Sequence, residues 1–392
     1  MVKSLSSFTA LSTLSSILLS WRGLLVLNHL DDKLLGHLVV YQVVSMMFIY
    51  SSFGLLNGTF RYYVKNPDRI GYSNLMLIIL LLLIQLPVIT IVLYALSANY
   101  IFFLLAMGAL SYIQNMMENT LLAQSKFQSH ATLSVISSTL SLMAVYLSGE
   151  NNLEIVFIAF ALYPLVYILI AVLLHRGTFK YSCEINIGDL KYLFVEGWPF
   201  AVISVLAFIT NQGDKLIFNW YYGEEVLGRY YIVFVAINLV VLLPRIVTQY
   251  FLPSIVDQGS EYVFWRKFRW NTYLVVLYSI LVVVTIFVAS ELDFQPIGDG
   301  NIDYNLLLRA SPLFVLVCYQ FLPSLYWHFT GYLKSMMWIS LVTLVVYFVA
   351  LSVLLDIDDF YFIWSKIIYF FLFFVINVFV IKKFRYAVSA NN

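Results

Sequence analysis

Residues 73–96 read SNLMLIILLLLIQLPVITIVLYAL, a stretch without a single charge. A helix of about 20 apolar residues crosses the hydrocarbon core of a bilayer, whereas a surface helix of a soluble protein keeps one face polar. This stretch has no polar face, so it belongs in lipid. Lipid then restricts everything else, because backbone amides with no water to bond are satisfied only within helices or closed barrels. Unbroken apolar runs, rather than alternation, select helices. The rest of the chain agrees: 62% of its 392 residues are apolar and 11% are charged, against about 25% charged in a soluble domain.

Twelve spans are predicted, at 5–27, 35–57, 73–96, 100–121, 130–148, 153–174, 195–219, 227–251, 271–289, 306–327, 334–355 and 360–381. The first run lacks a small-residue cleavage pattern and continues past Trp21 and Arg22, so a retained helix is expected rather than a signal peptide. Lysine and arginine fix the sidedness. With the N-terminus inside, the inner segments hold Lys3, Arg61, Lys65, Arg69, Lys126, Arg176, Lys180, Lys191, Arg266, Lys267, Arg269, Lys334, Lys382, Lys383 and Arg385, while the outer segments hold only Lys33. Cytoplasmic loops carry such an excess, so both termini are expected in the cytoplasm. Omitting one span would invert every later loop and destroy the bias.

The windows VLNHLDDKLLGHLVVYQVV from Val26 and IFNWYYGEEVLGRYYIVFVAI from Ile217 share an Asn, a polar turn, a Leu-Gly pair and an early Tyr. Leu35-Gly36 and Leu227-Gly228 lie 192 residues apart, about the length of six spans. An even number of crossings per copy relates the copies by an axis along the membrane normal. The expected fold is therefore all-α, with twelve transmembrane helices in two six-helix bundles related by a parallel repeat. The bundles are placed at 1–175 and 195–392, the second with a short cytoplasmic tail, joined by a cytoplasmic linker at 176–194.

Charges inside the spans carry the functional signal, because each costs on the order of 3 kcal/mol in lipid and tends to face a bundle interior or water. Arg229, just inside a helix end, is expected to snorkel. Lys366 divides evenly between snorkelling and burial. Arg22, Lys215, Arg245 and Arg309 are the candidate substrate contacts: a cationic interior suits an anion, and arginine's planar fork suits phosphate oxygens. Asp214, Asn211, Glu118 and Pro244 are the candidate coupling or gating residues. Asp214 and Lys215 are adjacent and so point about 100° apart on a helix, poorly placed to neutralise each other. The repeat sets Arg22 against Asp214, and Asn115 is expected to share a face with Glu118. Pro312, three residues after Arg309, is expected to open the helix there.

No phosphate-binding glycine loop, HExxH, catalytic serine motif or nucleotide fold is present. Cys183 and Cys318 form no disulfide or metal motif. Gly298–Gly300 lacks the ligands of a calcium loop, and Asp356–Asp359 reads as an acidic outer turn. A secondary carrier is expected rather than an enzyme, with no metal, no bound cofactor and no nucleic acid. A membrane-bound glycan polymerase or acyltransferase is the enzymatic alternative, and it lacks the large catalytic loop such proteins usually carry.

Residues 211–255, NQGDKLIFNWYYGEEVLGRYYIVFVAINLVVLLPRIVTQYFLPSI, resemble the seventh and eighth helices of the polysaccharide transporter, or O-antigen flippase, branch of the multidrug/oligosaccharidyl-lipid/polysaccharide flippase superfamily. The shared pattern is Asp214-Lys215, Gly223-Glu224, Gly228 with Tyr230, then Pro244 and Pro253. The first copy departs from it, with Leu30-Asp31-Asp32 where the family has a Gly-Pro-acidic turn. The resemblance implies a MATE-like flippase in the bacterial inner membrane, moving an undecaprenyl-pyrophosphate-linked oligosaccharide by alternating access among membrane lipid and delivering it to glycan polymerase machinery. It also implies coupling to a proton or sodium gradient, and the residues choose neither ion. A cation-coupled multidrug exporter of the same architecture is the nearest alternative.

Overall fold

The computed structural model describes residues 2–52, 55–65, 74–95, 101–149, 151–175, 187–257, 261–292, 303–330, 332–354 and 356–390. Every regular element among them is helical. The first half holds α1 Val2–His29, α2 Asp32–Tyr50, α3 Leu55–Lys65, α4 Asn74–Ala95, α5 Ile101–Ala123, α6 Phe127–Tyr146 and α7 Leu153–Leu174. The second holds α8 Ile187–Phe208, a π turn Ile209–Gly213, α9 Asp214–Tyr222, α10 Glu224–Arg229, α11 Tyr231–Val240, α12 Leu242–Asp257, α13 Glu261–Glu291, α14 Tyr304–Arg309, α15 Ser311–Tyr319, α16 Phe321–Thr330, α17 Leu333–Leu354 and α18 Tyr361–Ala390.

Among the described residues, each of the twelve predicted spans overlaps helix. Nine helical stretches among the described residues are long and apolar enough to cross a membrane. The other three predicted crossings are α4, with a shorter apolar stretch at Leu82–Ile91; α6, diluted by serine and threonine; and α14–α16, broken twice. Several boundaries differ from the prediction. The second crossing stops at Tyr50, and Arg61, expected in a loop, lies on α3. The seventh begins at Ile187 rather than 195, placing Lys191 on helix, and Arg266, Lys267 and Arg269 occupy the early turns of α13. Most of the predicted linker and the Gly298–Gly300 loop lie outside the described residues.

Close contacts group the chain into two units that meet in sequence at Tyr231 and Ile232. Within the first, α1 and α6 run side by side in the same direction. The Phe8 and Phe127 ring centroids are 5.2 Å apart, and Arg22 meets Ser141 at 2.8 Å; both pairs have the same sequence offset. The first and fifth crossings of an alternating chain must be parallel in this way. Small side chains let helices approach in lipid, where packing contacts replace the hydrophobic drive, and α6 buries Ser134, Ser137, Ser138 and Ser141. Ser137 donates to the Leu133 carbonyl at 2.8 Å and Ser138 to that of Val135 at 3.0 Å.

In the second unit, proline dictates where helices break. Pro244 has no N–H to offer the Val240 carbonyl and its ring crowds that oxygen, so the helix parts between α11 and α12. Cys318 Sγ reaches the Val240 oxygen at 3.5 Å, and the Tyr278 hydroxyl donates to the Leu239 oxygen at 2.9 Å. Pro312 and Pro323 follow the breaks at Ala310 and Gln320. Farther along, buried Trp327 donates Nε1–H to Asn377 Oδ1 at 2.7 Å, and Asn377 Nδ2 donates to the Phe373 carbonyl at 2.7 Å. Trp327→Phe strips Asn377 of that donor and is expected to cost about 1–3 kcal/mol, read as a lower midpoint of chemical unfolding in detergent; an unchanged midpoint would show the bond to be dispensable.

Candidate functional site

Arg22 lies seven residues from the end of the span Ser6–His29 and points into the first unit. Its Nη1 donates to Ser141 Oγ at 2.8 Å, and Ser141 in turn donates to the Ala159 carbonyl at 2.6 Å. The guanidinium carbon stacks 3.7 Å from the centroid of Phe160, and the Tyr163 and Tyr231 hydroxyls lie within electrostatic range. Its Nε–H has no acceptor. Among the described residues no carboxylate forms an ion pair with it.

The seventh crossing reaches the polar residues through the π turn at Ile209–Gly213. A π turn carries an extra residue, leaves the helix locally widened, and tends to occur at functional sites. Directly after it, Asp214 is fully buried. Lys215 is half-buried and donates to Gln212 Oε1 at 2.7 Å. Asn211 is half-buried within the π turn itself.

The next turn brings the two Leu-Gly segments of the repeat, in α2 and α10, together. Gly223, with φ of 84°, reverses the chain between α9 and α10, and α10 then packs against the start of α2. A Cβ on Gly36 would overlap the carbonyl oxygen of Glu224, and one on Gly228 would overlap that of Asp32. These residues are paired by the repeat, since Gly36 and Gly228 differ by the same 192 positions as Asp32 and Glu224. The contact is thus reciprocal, as a two-fold interface demands. Side chains repeat the pattern. His37 Nε2 lies 3.0 Å from Glu224 Oε2, and its repeat mate Arg229 lies close enough to Asp32, the mate of Glu224, to act on its charge.

Glu118 belongs to a network that the sequence reading missed. Its Oε2 accepts from Gln114 Nε2 at 3.2 Å, and its Oε1 lies 3.6 Å from His130 Nε2. His130 Nδ1 is 2.9 Å from the Tyr167 hydroxyl. Asn115, expected beside Glu118, instead donates to the Ser111 carbonyl at 2.8 Å. The missed signal was the helical spacing of His130, Ser134, Ser137 and Ser141 along one face of α6.

In the second unit, Pro244 is buried and Arg245 exposed. Arg309 ends α14 beside the break that Pro312 was expected to cause. Its guanidinium stacks 3.8 Å from the Phe360 centroid and faces the acidic turn. There Asp358 is held below its ordinary carboxylate range, chiefly by a side-chain hydrogen bond with Asp359, then by the Phe360 N–H and by Arg309. That placement ties Arg309 to the turn rather than to the deeper cations. Lys366, evenly divided on sequence, is buried, with Nζ 5.3 Å from the Phe362 ring. Arg61 is buried as well, its guanidinium 5.9 Å from Phe200. No group of metal ligands occurs among the described residues.

No model of a known protein family matches the sequence, and no curated protein matches it. Solved structures do. An outward-facing multidrug resistance MATE family transporter of the MOP superfamily aligns with a TM-score of 0.72 at 14% identity, over 100% of this chain and 97% of that one. The eukaryotic MATE transporter AtDTX14 gives 0.73 at 12%, over 97% and 95%. A MOP superfamily transporter from Pyrococcus furiosus, described as having a binding pocket of reverse polarity, gives 0.68 at 13%, over 97% and 96%. Identities this low speak for architecture alone, and the architecture is clear: this multi-pass membrane chain has the fold of the MATE transporters of the MOP superfamily.

Proposed function

We propose that this transporter flips an anionic lipid-linked headgroup, an undecaprenyl-pyrophosphate-linked oligosaccharide, across the bacterial inner membrane by alternating access. The carrying observation is Arg22: a guanidinium inside an apolar span, held by a ring and a hydroxyl, with no ion-paired carboxylate among the described residues. A charge in that position is costly, and an incoming phosphate would supply the missing partner with a geometry the planar fork matches. Lys215, half-buried in the same unit, would extend the cationic route, and Arg245 would be the second unit's own candidate contact. The two repeats, 1–175 and 195–392, would be the moving bodies, and both termini would lie in the cytoplasm. The chain performs no chemistry in this reading, so the glycan emerges unaltered for a polymerase.

One observation favours a cation-coupled multidrug exporter instead. Asp214 is a fully buried acid beside the π turn, a position from which it could attract a cation or take up a proton. Reconstitution separates the two readings. Vesicles holding the purified protein are offered a fluorescent pyrophosphate-linked glycan or a lipophilic cationic dye, with the proton and sodium gradients varied. The glycan lipid is expected to move and the dye to stay; dye export without glycan movement would reverse the assignment. At matched protein levels, Lys215→Ala and Arg245→Ala are each expected to slow flipping by about tenfold, some 1.4 kcal/mol of lost interaction. Arg266→Ala, which contributes only to sidedness, is expected to stay within about twofold, since one loop charge among many is a small perturbation. Equal losses for all three would remove the special role of the deep cations.

A further inference from the structure

The parallel contact of α1 with α6 contains a buried polar seam that no transport contact explains. At one end stand Glu118, His130 and Tyr167, drawn from α5, α6 and α7. Next come Ser12 and Ser134, whose hydroxyls are buried and have no hydrogen-bond partner. Ser15 is also buried, and the α1–α6 offset set by Phe8–Phe127 and Arg22–Ser141 places it level with Ser134. The seam then meets Ser141 and stops at Arg22. From His130 to Ser141 it spans about 16 Å at 1.5 Å per residue. Orphaned hydroxyls in such a place are where buried water resides, because a water can satisfy two to four polar groups at once.

We propose that the Glu118–His130 pair is a proton-binding site, reached through water from the end of the bundle that carries Lys126 and His175 and closed toward the other end by Arg22. The charged and titratable groups around His130 fit this role. From α5 comes Glu118, with Gln114 behind it. From α7 comes Tyr167, with Tyr163 within electrostatic range of it. The described part of α1 contributes the Phe8 ring, its centroid 6.3 Å away, and Ser12. Lys126 precedes α6 and acts on His175.

A proton from water adds to the unprotonated ring nitrogen of neutral His130. The imidazolium then donates Nε2–H to Glu118 and Nδ1–H to Tyr167, closing the present 3.6 Å separation to a charge-assisted bond. Loss of the proton returns it to water and removes that charge-assisted bond, while Gln114 still donates to the carboxylate. The two protonation states therefore favour different spacings of α5 and α6. At the far end, the fixed positive charge of Arg22 repels a proton, as an arginine does in a water-selective pore. The seam is consequently a one-sided binding site and not a leak, which is what a coupled carrier requires.

The coupling role rests on the transporter reading; the site itself does not, and its test needs no cargo. The chain has five histidines, so ring ¹⁵N signals in lipid nanodiscs can be assigned by loss of one set in His130→Gln. Between about pH 5 and pH 8, the range in which imidazole changes charge, the His130 signals of the native protein are expected to switch from the doubly protonated to the neutral pattern. Glu118→Gln is expected to abolish the switch, and Glu118→Asp, which keeps the carboxylate, to restore it. A single pattern across the range in the native protein, or the same switch in Glu118→Gln, would overturn the proposal. If the ring titrates as expected and neither glycan lipid nor dye moves in vesicles, the proton site stands and the transport reading falls.

Discussion

Gly36→Val is expected to force α2 and α10 apart at their crossing and to disable transport, and Gly228→Val to do the same by the reciprocal route. Each added side chain meets a backbone carbonyl, that of Glu224 or of Asp32, which cannot rotate aside as a flexible side chain would. Overpacking costs about 1–3 kcal/mol where neighbours can shift, and a backbone obstacle places these variants at the upper end. The 3.0 Å approach of His37 to Glu224 would be lost with the contact. Both substitutions separate the same two helices, so their combined effect should be smaller than the sum, as expected for sites in direct contact. Spin labels on exposed Lys33 and Glu225, themselves repeat mates, would report a longer distance in either variant. Gly149→Ala is the control, since a Cβ there meets nothing within 4 Å. Unchanged label distances in both valine variants would show that the crossing tolerates bulk and has no role in holding these ends together.

That crossing also marks how far the sequence could be read. The Leu-Gly pairs and their spacing were visible, and they identified the repeat, but not that its two copies touch at those glycines. Contact between residues 192 apart depends on how whole helices pack, which periodicity does not encode. The apolar runs located helices because lipid leaves few alternatives to helix. Their ends were read less well, since a chain can continue as helix into water: α8 starts before its apolar stretch, and α13 carries Arg266, Lys267 and Arg269 on helix rather than in a loop. Among the site residues, depth was legible and partners were not. Arg22 was placed by its position in an apolar run, yet Phe160 and Ser141 are distant in sequence. His130 was missed because a histidine near a helix end looks like an interfacial residue until Glu118 and Tyr167 arrive from other helices. Arg309 was read from Pro312, which does break the helix, but its ring partner Phe360 comes from a turn fifty-one residues later.

Arg22→Met is expected to reduce movement of a pyrophosphate-linked lipid by about 100-fold or more, near 2.7 kcal/mol, while leaving the protein as stable as before or more so. The two effects separate because different interactions set them. Stability gains from removing a charge whose cost in a span is about 2.5–3.5 kcal/mol on insertion scales. It loses a cation–π contact of about 0.5–2 kcal/mol and one hydrogen bond of about 1 kcal/mol. These terms nearly cancel, and Ser141 keeps its bond to the Ala159 carbonyl, so no buried hydroxyl is stranded. Transport has no such compensation, because methionine offers a phosphate neither charge nor donors. Arg22→Lys keeps the charge and loses the planar fork and its stacking on Phe160, so an intermediate loss of about tenfold is expected. Unfolding midpoints and initial flipping rates per folded molecule, measured on the same preparations, distinguish this role from a structural one. A guanidinium that merely holds the bundle together would give the opposite result: Arg22→Met would unfold early, and the molecules that remained folded would flip the lipid at the native rate.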